Sequence, residues 1–284
     1  MTASRYERPA TVAQAAALLS EAPGRATVLA GGTDLSIRLR TGLFKPELLV
    51  DIKHIPSLSE IRWTSSGDLV IGAAVTMRRL YSDQKVCAAF PALTQGARSV
   101  GSLQIQERAT VGGNVCNASP CMDSAPPLIV MDARLVAVGV KGEREIPIRE
   151  FFKHVKKTVL AENEVVTAII VPAAAAGLLT AFDKLKRVRG HDLALVNAAA
   201  AYDPGARTLV GAVGSCGVTP VMTRVLTGVD ASAAEEVGPE LARAALEKIC
   251  PIDDVRASAE YRRDMTALLC RRLVAKLLSG TAGR

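Results

Sequence analysis

The chain has 284 residues, of which 49% are hydrophobic and 22% are charged, and its formal net charge is +7. This balance excludes an intrinsically disordered protein, and the length predicts two or three subdomains rather than one small core. Aromatic residues make up only 4% of the chain, and no zinc-finger or basic-helix motif accompanies the positive charge, so we expect no nucleic-acid ligand.

The N-terminal part of the chain predicts a helix, a strand, a Gly-rich turn, a second helix and a second strand. In chain order these elements span 11–21, 26–30, 31–34, 35–40 and 48–52. Thr11 and Gln14 stand at capping-box spacing in the first helix, and Gly42 is suited to end the second.

The middle of the chain predicts a strand, helical stretches, a loop, a short helix with prolines in its first turn, a hairpin and a further strand. Their bounds are 68–76, 77–98, 99–110, 124–133, 134–140 with 144–148, and 164–171. The small residues of 172–177 then mark the main domain boundary.

The C-terminal part predicts three antiparallel strands and two helices, which together form an α+β domain. The strands span about 180–188, 195–202 and 207–214, and the helices about 232–249 and 258–280. Asp203, Pro204 and Gly205 form the tight turn between the last two strands.

The segment 29-LAGGTDL-35 joins a strand to a helix through two glycines. Glycines let the backbone approach a ligand closely, and the N–H groups at a helix start favour phosphate. An ordinary tight turn with Thr33 or Asp34 as the helix N-cap explains the same residues. The segment is neither a G-x-G-x-x-G motif nor a Walker A loop.

A second Gly-Gly pair lies in 110-TVGGNVCNASPCMDSAPPL-128, which shows neither strand alternation nor a helical repeat before its end. We expect a ligand-facing loop in which Gly112 and Gly113 expose backbone amides and Asp123 accepts hydrogen bonds from sugar or polyol hydroxyls. Neutral polar groups come from Thr110, Asn114, Asn117 and Ser119. A surface loop satisfied by its own Asn and Ser side chains is the alternative. Two such turns favour one diphosphate ligand.

Neither a catalytic constellation nor a metal site is predicted. The three histidines have no nucleophile motif beside them, and the carboxylates show no pair spacing. We therefore expect an enzyme with these two ligand loops to take its chemistry from a cofactor. Cys116 and Cys121 form a C-x4-C pair, but no second pair follows at cluster or zinc spacing. The first thirty residues lack a signal-peptide apolar run, so we expect a cytoplasmic protein with reduced thiols. No apolar run approaches the roughly 20 residues of a membrane helix.

Four ordered blocks of the sequence resemble one protein family. They are LAGGTDL at 29–35, TVGGNVCNASPCMDSAPPL at 110–128, AFDKLKRVRGHDLALVNAA at 181–199 and DDVRASAEYRRDMTALLCRRL at 253–273. These blocks are similar to the FAD-binding subunit of the molybdenum hydroxylases, which is the medium subunit of the xanthine dehydrogenase and carbon monoxide dehydrogenase family. The resemblance covers nearly the whole chain.

The resemblance implies an α+β fold. A PCMH-type FAD-binding domain, of the vanillyl-alcohol-oxidase type, would occupy 1–172 as two α/β subdomains at about 1–55 and 56–172. A C-terminal domain at 177–284 would resemble that of the CO dehydrogenase flavoproteins, with a three-stranded antiparallel sheet and helices.

The resemblance also implies which residues bind FAD. The first pyrophosphate loop would consist of Leu29, Ala30, Gly31, Gly32, Thr33 and Asp34. The second would consist of Thr110, Gly112, Gly113, Asn114 and Asn117. Asp123 would face the ribityl or ribose hydroxyls, Leu160 would make a backbone contact to the flavin, and Lys184 would reach the flavin from the C-terminal domain.

Partner subunits follow from the same resemblance. A large subunit with molybdopterin would hydroxylate the substrate, and a small [2Fe–2S] subunit would pass electrons to FAD in this chain, which gives them to a terminal acceptor. The assembly would be a dimer of heterotrimers, and its substrate and acceptor are left open. The alternatives are a stand-alone small flavin reductase or oxidase and a non-catalytic nucleotide-binding assembly module. Cys116 and Cys121 are either small packed thiols or a redox-sensitive pair.

Overall fold

The computed structural model describes residues 4–279. The N-terminal layer is a three-stranded parallel sheet in the order β1–β3–β2. Its elements are β1 (Arg5–Glu7), α1 (Val12–Glu21), β2 (Ala26–Leu29), α2 (Leu35–Arg40) and β3 (Leu48–Asp51). The predicted order of helix, strand, turn, helix and strand is confirmed. The Thr11 hydroxyl accepts a hydrogen bond from Gln14 N at the start of α1, and Gly42 has a φ of +71° just beyond α2. The three-residue β1 is an additional strand.

The second layer is a five-stranded antiparallel sheet in the order β4–β5–β10–β6–β7, with helices packed on one face. A 3-10 turn at Pro56–Ser59 leads into it. The first elements are β4 (Ile61–Trp63), β5 (Leu69–Gly72), α3 (Met77–Ser82), α4 (Gln84–Ala89), α5 (Pro91–Ser99), α6 (Leu103–Gln106), α7 (Val111–Cys116) and α8 (Ala125–Val130). They are followed by β6 (Arg134–Gly139), β7 (Gly142–Pro147), α9 (Ile148–Phe151), the small hairpin of β8 (Phe152–His154) and β9 (Lys157–Thr158), and β10 (Val165–Val171).

Two segments that were predicted as loops contain short helices. The first is α6, whose start is capped by Ser102, because the Ser102 hydroxyl accepts a hydrogen bond from Ile105 N. The second is α7, which Thr110 caps in the same way by accepting from Gly113 N at 3.0 Å. The loop prediction for these segments is wrong because four-residue and glycine-containing helices show no hydrophobic periodicity.

The C-terminal layer is an antiparallel sheet in the order β11–β12–β13–β14, covered by two helices. A 3-10 turn at Ala173–Gly177 connects it to β10, and the domain division predicted there stays a prediction. The elements are β11 (Leu179–Leu185), β12 (Val196–Asp203), β13 (Thr208–Gly214), β14 (Val221–Met222), α10 (Ala234–Leu246) and α11 (Ala259–Ser279). The sheet has four strands rather than the predicted three. The prediction missed β14 because this strand has only two residues and is too short to show alternation.

Strand β12 is buried on both faces. Ala199 and Ala201 belong to the core shared with the helices of the second layer, whereas Ala198 and Ala200 face the core beneath α10 and α11. Alanine side chains let both layers approach this strand closely, which suits a chain with few aromatic residues. The C-terminal sheet therefore packs directly on α5 and α8, and this contact brings Lys184 of β11 beside the end of α5.

Candidate functional site

A cavity with a volume of about 360 Å³ lies between the parallel sheet and α7. Its walls come from the turn after β2, from α7 and from the segment before β10. Eleven predicted site residues line it: Ala30, Gly31, Gly32, Thr33, Asp34, Thr110, Gly112, Gly113, Asn114, Asn117 and Leu160. Leu29, Asp123 and Lys184 are not among the lining residues. The two Gly-Gly segments, far apart in sequence, thus meet in one cavity.

The turn 31–34 presents backbone donors to this cavity. Within residues 4–279, the N–H groups of Gly31, Gly32, Thr33 and Asp34 donate no hydrogen bond. A Cβ atom at Gly31 would stand 2.0 Å from the carbonyl oxygen of Arg108, and Gly32 has a φ of +73°. The first glycine is therefore required by close packing and the second by backbone conformation, and together they leave four amides available to an anion.

The glycines of α7 behave differently from the prediction. Gly112 N donates to Ala73 O at 3.2 Å and Gly113 N to Thr110 Oγ1 at 3.0 Å. A Cβ atom at Gly112 would lie 2.6 Å from Ala73 Cβ. The expectation that both glycines expose free amides is wrong, because the end of β5 accepts from Gly112 N and the N-cap Thr110 accepts from Gly113 N. Asn114 retains an unpaired side-chain N–H group among the described residues, since its Oδ1 accepts from Ser124 Oγ at 2.7 Å.

A polar cluster closes one edge of the cavity. Lys156 Nζ lies 3.1 Å from Asp34 Oδ2 and 2.7 Å from Asn117 Oδ1. Asn117 Nδ2 also donates to Asp34 Oδ2. Both groups of the Asn117 amide are therefore engaged by protein. Sequence reasoning missed Lys156, which belongs to the β8–β9 hairpin and carries no recognisable motif.

Arg38 is the one cationic side chain among the described residues that line the cavity. Its guanidinium stacks on Phe44, with 4.6 Å from Cζ to the ring centroid. It makes no ion pair within 4–279. The stacking holds the guanidinium in place, and its charge is available to an anionic ligand. Sequence reasoning missed this residue too.

Three carboxylates also line the cavity, those of Asp34, Glu162 and Glu164. Glu164 is held by Arg144, whose Nε and Nη2 lie 2.7 and 2.8 Å from its two oxygens. These hydrogen bonds hold the pKa of Glu164 below its ordinary value, against the opposing effect of burial. The side chains that line the cavity therefore carry a net negative charge, and cationic side chains just behind the lining offset this charge.

Asp123 and Lys184 form a buried ion pair behind the cavity. Lys184 Nζ lies 2.6 Å from Asp123 Oδ2 and also donates to the carbonyl oxygen of Ser99, the residue before the lining residue Val100. Burial raises the pKa of Asp123, while the Lys184 ammonium and the amide of Asn197 act in the opposite direction. The ion pair thus ties the loop after α7 to the C-terminal sheet.

The two cysteines of the Gly-rich segment have different surroundings. Cys116 lines the cavity, and burial raises the pKa of its thiol to about 12, so it is a neutral thiol near pH 7. Cys121 instead faces the C-terminal region, where its sulfur lies 3.5 Å from Arg256 Nη1. Both are free thiols.

Among the described residues there is neither a cluster suited to a metal ion nor a membrane-spanning helix. Residues 4–279 contain no group of three or more His, Cys, Asp or Glu side chains arranged to hold a metal ion. Over the same residues, none of the helices is long and apolar enough to cross a membrane.

Comparison with known families defines the class of protein. The model of the FAD binding domain in molybdopterin dehydrogenase matches residues 2–174, and the model of the CO dehydrogenase flavoprotein C-terminal domain matches residues 180–277. The chain therefore belongs to the family of FAD-binding medium subunits of molybdenum hydroxylases, which are oxidoreductases. This confirms the resemblance and the predicted fold class.

Individual relatives agree with this assignment. The chain is 33% identical to the carbon monoxide dehydrogenase medium chain of Hydrogenophaga pseudoflava, over 94% of each chain. It is 30% identical to the xanthine dehydrogenase FAD-binding subunit of Escherichia coli O157:H7, over 98% of this chain and 97% of that one. A solved structure of the H. pseudoflava carbon monoxide dehydrogenase, lacking the Mo-pyranopterin moiety, superposes with a TM-score of 0.88 at 31% identity and 98% coverage of both chains. Quinoline 2-oxidoreductase from Pseudomonas putida 86 gives 0.87 at 27% identity, again with 98% coverage of both chains.

Proposed function

We propose that this chain binds FAD in the cavity between the parallel sheet and α7, and that it is the electron-transfer subunit of a multi-subunit molybdenum hydroxylase. It would take electrons from [2Fe–2S] clusters of a small partner subunit and pass them to a terminal acceptor. Bound FAD supplies the redox chemistry, and the protein supplies binding, orientation and electrostatics.

The observation that carries the proposal is the set of four unpaired amides in the turn 31–34. Backbone N–H groups converging on one wall of a cavity are suited to the oxygens of a diphosphate. Arg38, in the last turn of α2, adds the single positive charge among the described residues of the lining. Thr33 and Asn114 add uncharged side-chain groups of the kind that hydrogen-bond sugar hydroxyls. The residues present therefore fit FAD.

The end of the cavity near Val100 is proposed to hold the flavin. Lys184 donates to Asp123 and to Ser99 O, which uses two of its three N–H groups. The third has no partner within the described residues, so Lys184 retains a donor for the flavin. Asp123 would orient this ammonium, in addition to its predicted contact with hydroxyls.

The partners are proposed from the relatives, whose names describe a medium chain and an FAD-binding subunit. We propose that a large molybdenum-cofactor subunit and a small [2Fe–2S] subunit assemble with this chain in the cytoplasm as a dimer of heterotrimers. Molybdopterin and [2Fe–2S] clusters would lie only in those partners.

Purification of the chain from its native cells under mild conditions tests the proposal. We expect two further subunits to co-purify, with visible absorbance from both flavin and iron–sulfur clusters, and we expect dithionite to bleach the flavin. A yellow chain that purifies alone would instead indicate a stand-alone flavoprotein. A complex that contains FAD which its own substrate never reduces would indicate an assembly module.

A further inference from the structure

Lys156 occupies a backbone position that favours glycine. It lies in the turn of the β8–β9 hairpin with a φ of +58°, a conformation that costs free energy in any residue with a Cβ atom. Its N–H group donates to the carbonyl oxygen of Ala118 at 2.9 Å, and Ala118 itself has a φ of +46°. Such a strained position is retained only where the surroundings compensate for it, so the side chain of Lys156 requires an explanation.

The side chain of Lys156 joins two walls of the cavity. Its ammonium bonds Asp34, from the turn after β2, and Asn117, from the end of α7. These two residues also bond each other. Side chains from the β8–β9 turn, the turn after β2 and the end of α7 are therefore linked through one nitrogen atom. Neither Asp34 nor Asn117 can move without breaking a hydrogen bond to Lys156.

The charge of Lys156 matters as much as its position. Asp34 is part of the turn whose free amides face the proposed diphosphate, and a bare carboxylate there would repel an anion. Arg38 is the only lining cation among the described residues, against three lining carboxylates. The positive charge of Lys156 offsets the negative charge of Asp34, as the charge of Arg144 offsets that of Glu164.

We propose that Lys156 is a positioning residue for the cofactor diphosphate, an inference that rests on the proposed FAD site. Its ammonium cancels the charge of Asp34 and fixes Asn117, so that the turn 31–34 keeps its amides directed at the ligand. The Lys156–Asp34 pair is about half exposed, with side chains 42% and 49% accessible. Its effect is therefore screened by solvent and sensitive to salt.

The test measures the Kd for FAD of the purified full-length chain by quenching of FAD fluorescence. Lys156→Met should raise the Kd about three- to fivefold at low ionic strength, and less at high salt. Lys156→Arg should restore wild-type affinity. Lys157→Met removes the same charge from the neighbouring exposed residue, which makes no ion pair in the described structure, and should have no effect.

Two further variants separate a charge effect from a folding effect. Lys156→Gly relieves the backbone strain, so it should raise the thermal midpoint without FAD and still weaken FAD binding as Lys156→Met does. Asp34→Asn removes the charge that Lys156 offsets while keeping an acceptor oxygen, so Lys156→Met should cost less than about twofold in affinity in that background.

A rise in Kd below about twofold for Lys156→Met overturns the inference while wild-type FAD binding stands. An affinity loss that persists in the Asp34→Asn background, or that only follows a lowered thermal midpoint, overturns it as well. A folded wild-type chain that binds no FAD overturns the proposed function, and this inference with it.

Discussion

Lys184 Nζ lies 2.6 Å from Asp123 Oδ2, and the two side chains are only 6% and 4% exposed. The pair joins β11 of the C-terminal sheet to the loop between α7 and α8, which are 61 residues apart at the point of contact. Asn197 supports the same carboxylate from β12, with Nδ2 at 2.8 Å from Asp123 Oδ1. This relationship makes the C-terminal sheet part of the cavity's support.

Removing one partner of this pair should be costly. Lys184→Met leaves a buried carboxylate without its cation, and we expect the free energy of unfolding to fall by about 3–5 kcal/mol. We also expect weaker FAD retention or a lower flavin potential, because the cation proposed to reach the flavin is lost. Urea unfolding and a redox titration measure these effects. Asp123→Asn with Lys184→Met should recover much of the stability, and Lys153→Met, an exposed lysine, is the charge-matched control. Equal unfolding midpoints for Lys184→Met and Lys153→Met would show that the pair contributes nothing.

Arg38 should contribute directly to ligand affinity. Its guanidinium is the only lining cation in the described chain and lacks an ion-pair partner there. Loss of a charge-assisted hydrogen bond to phosphate is worth about a tenfold rise in Kd for FAD, so Arg38→Met should weaken binding by that amount and reduce its salt dependence. Arg40→Met, two residues further along on the exposed side of α2, should leave the Kd unchanged. Similar Kd values for both variants would exclude a phosphate contact by Arg38.

Gly31 should tolerate no side chain. A Cβ atom there would stand 2.0 Å from Arg108 O, so Gly31→Ala must push two backbone segments apart at a cost of about 1–3 kcal/mol. Gly177→Ala is the matched control, because a Cβ atom at Gly177 meets nothing within 4 Å. Denaturant unfolding should place Gly31→Ala well below wild type and Gly177→Ala near it. A Gly31→Ala chain as stable as Gly177→Ala would contradict the close approach.

The Arg144–Glu164 pair should give a pH-dependent contribution to stability. Because the folded chain lowers the pKa of Glu164, the stabilisation is present above the ordinary Glu pKa of about 4.3 and is lost as the pH falls through the folded value. Arg144→Met should cost about 1 kcal/mol near pH 7, and the difference from wild type should shrink as the pH falls below about 5. Urea midpoints over this range measure it. If the stability difference between wild type and Arg144→Met grew towards acid pH, the pKa of Glu164 would not be lowered in the folded chain.

The sequence predicted best those parts of the fold whose signals are local. The run 26–30, the glycines of 31–32 and the apolar spacing of 35–40 are contiguous, and the structure confirms the strand, turn and helix. The α7 helix was not predicted because a threonine followed by two glycines is typical of a loop when only the sequence is considered. Its bonds to Ala73 and Val75 come from a distant strand end.

The candidate site could be predicted only in part, because it too depends on contacts between segments that are distant in the sequence. Lys156 and Asp34 are 122 residues apart, and no spacing rule connects them. The left-handed φ of Lys156 is also invisible in the sequence, since Val155, Lys156 and Lys157 include no turn residue. The family resemblance supplied Lys184 and Asp123, but their burial as a pair depends on the packing of β11 against α5.

A titration of the purified, full-length, folded chain with FAD tests most directly whether the cavity binds this cofactor. We expect saturable binding of one FAD per chain, with visible flavin absorbance that dithionite bleaches and with affinity reduced by Arg38→Met. A folded chain that takes up no FAD at any concentration tested would contradict it.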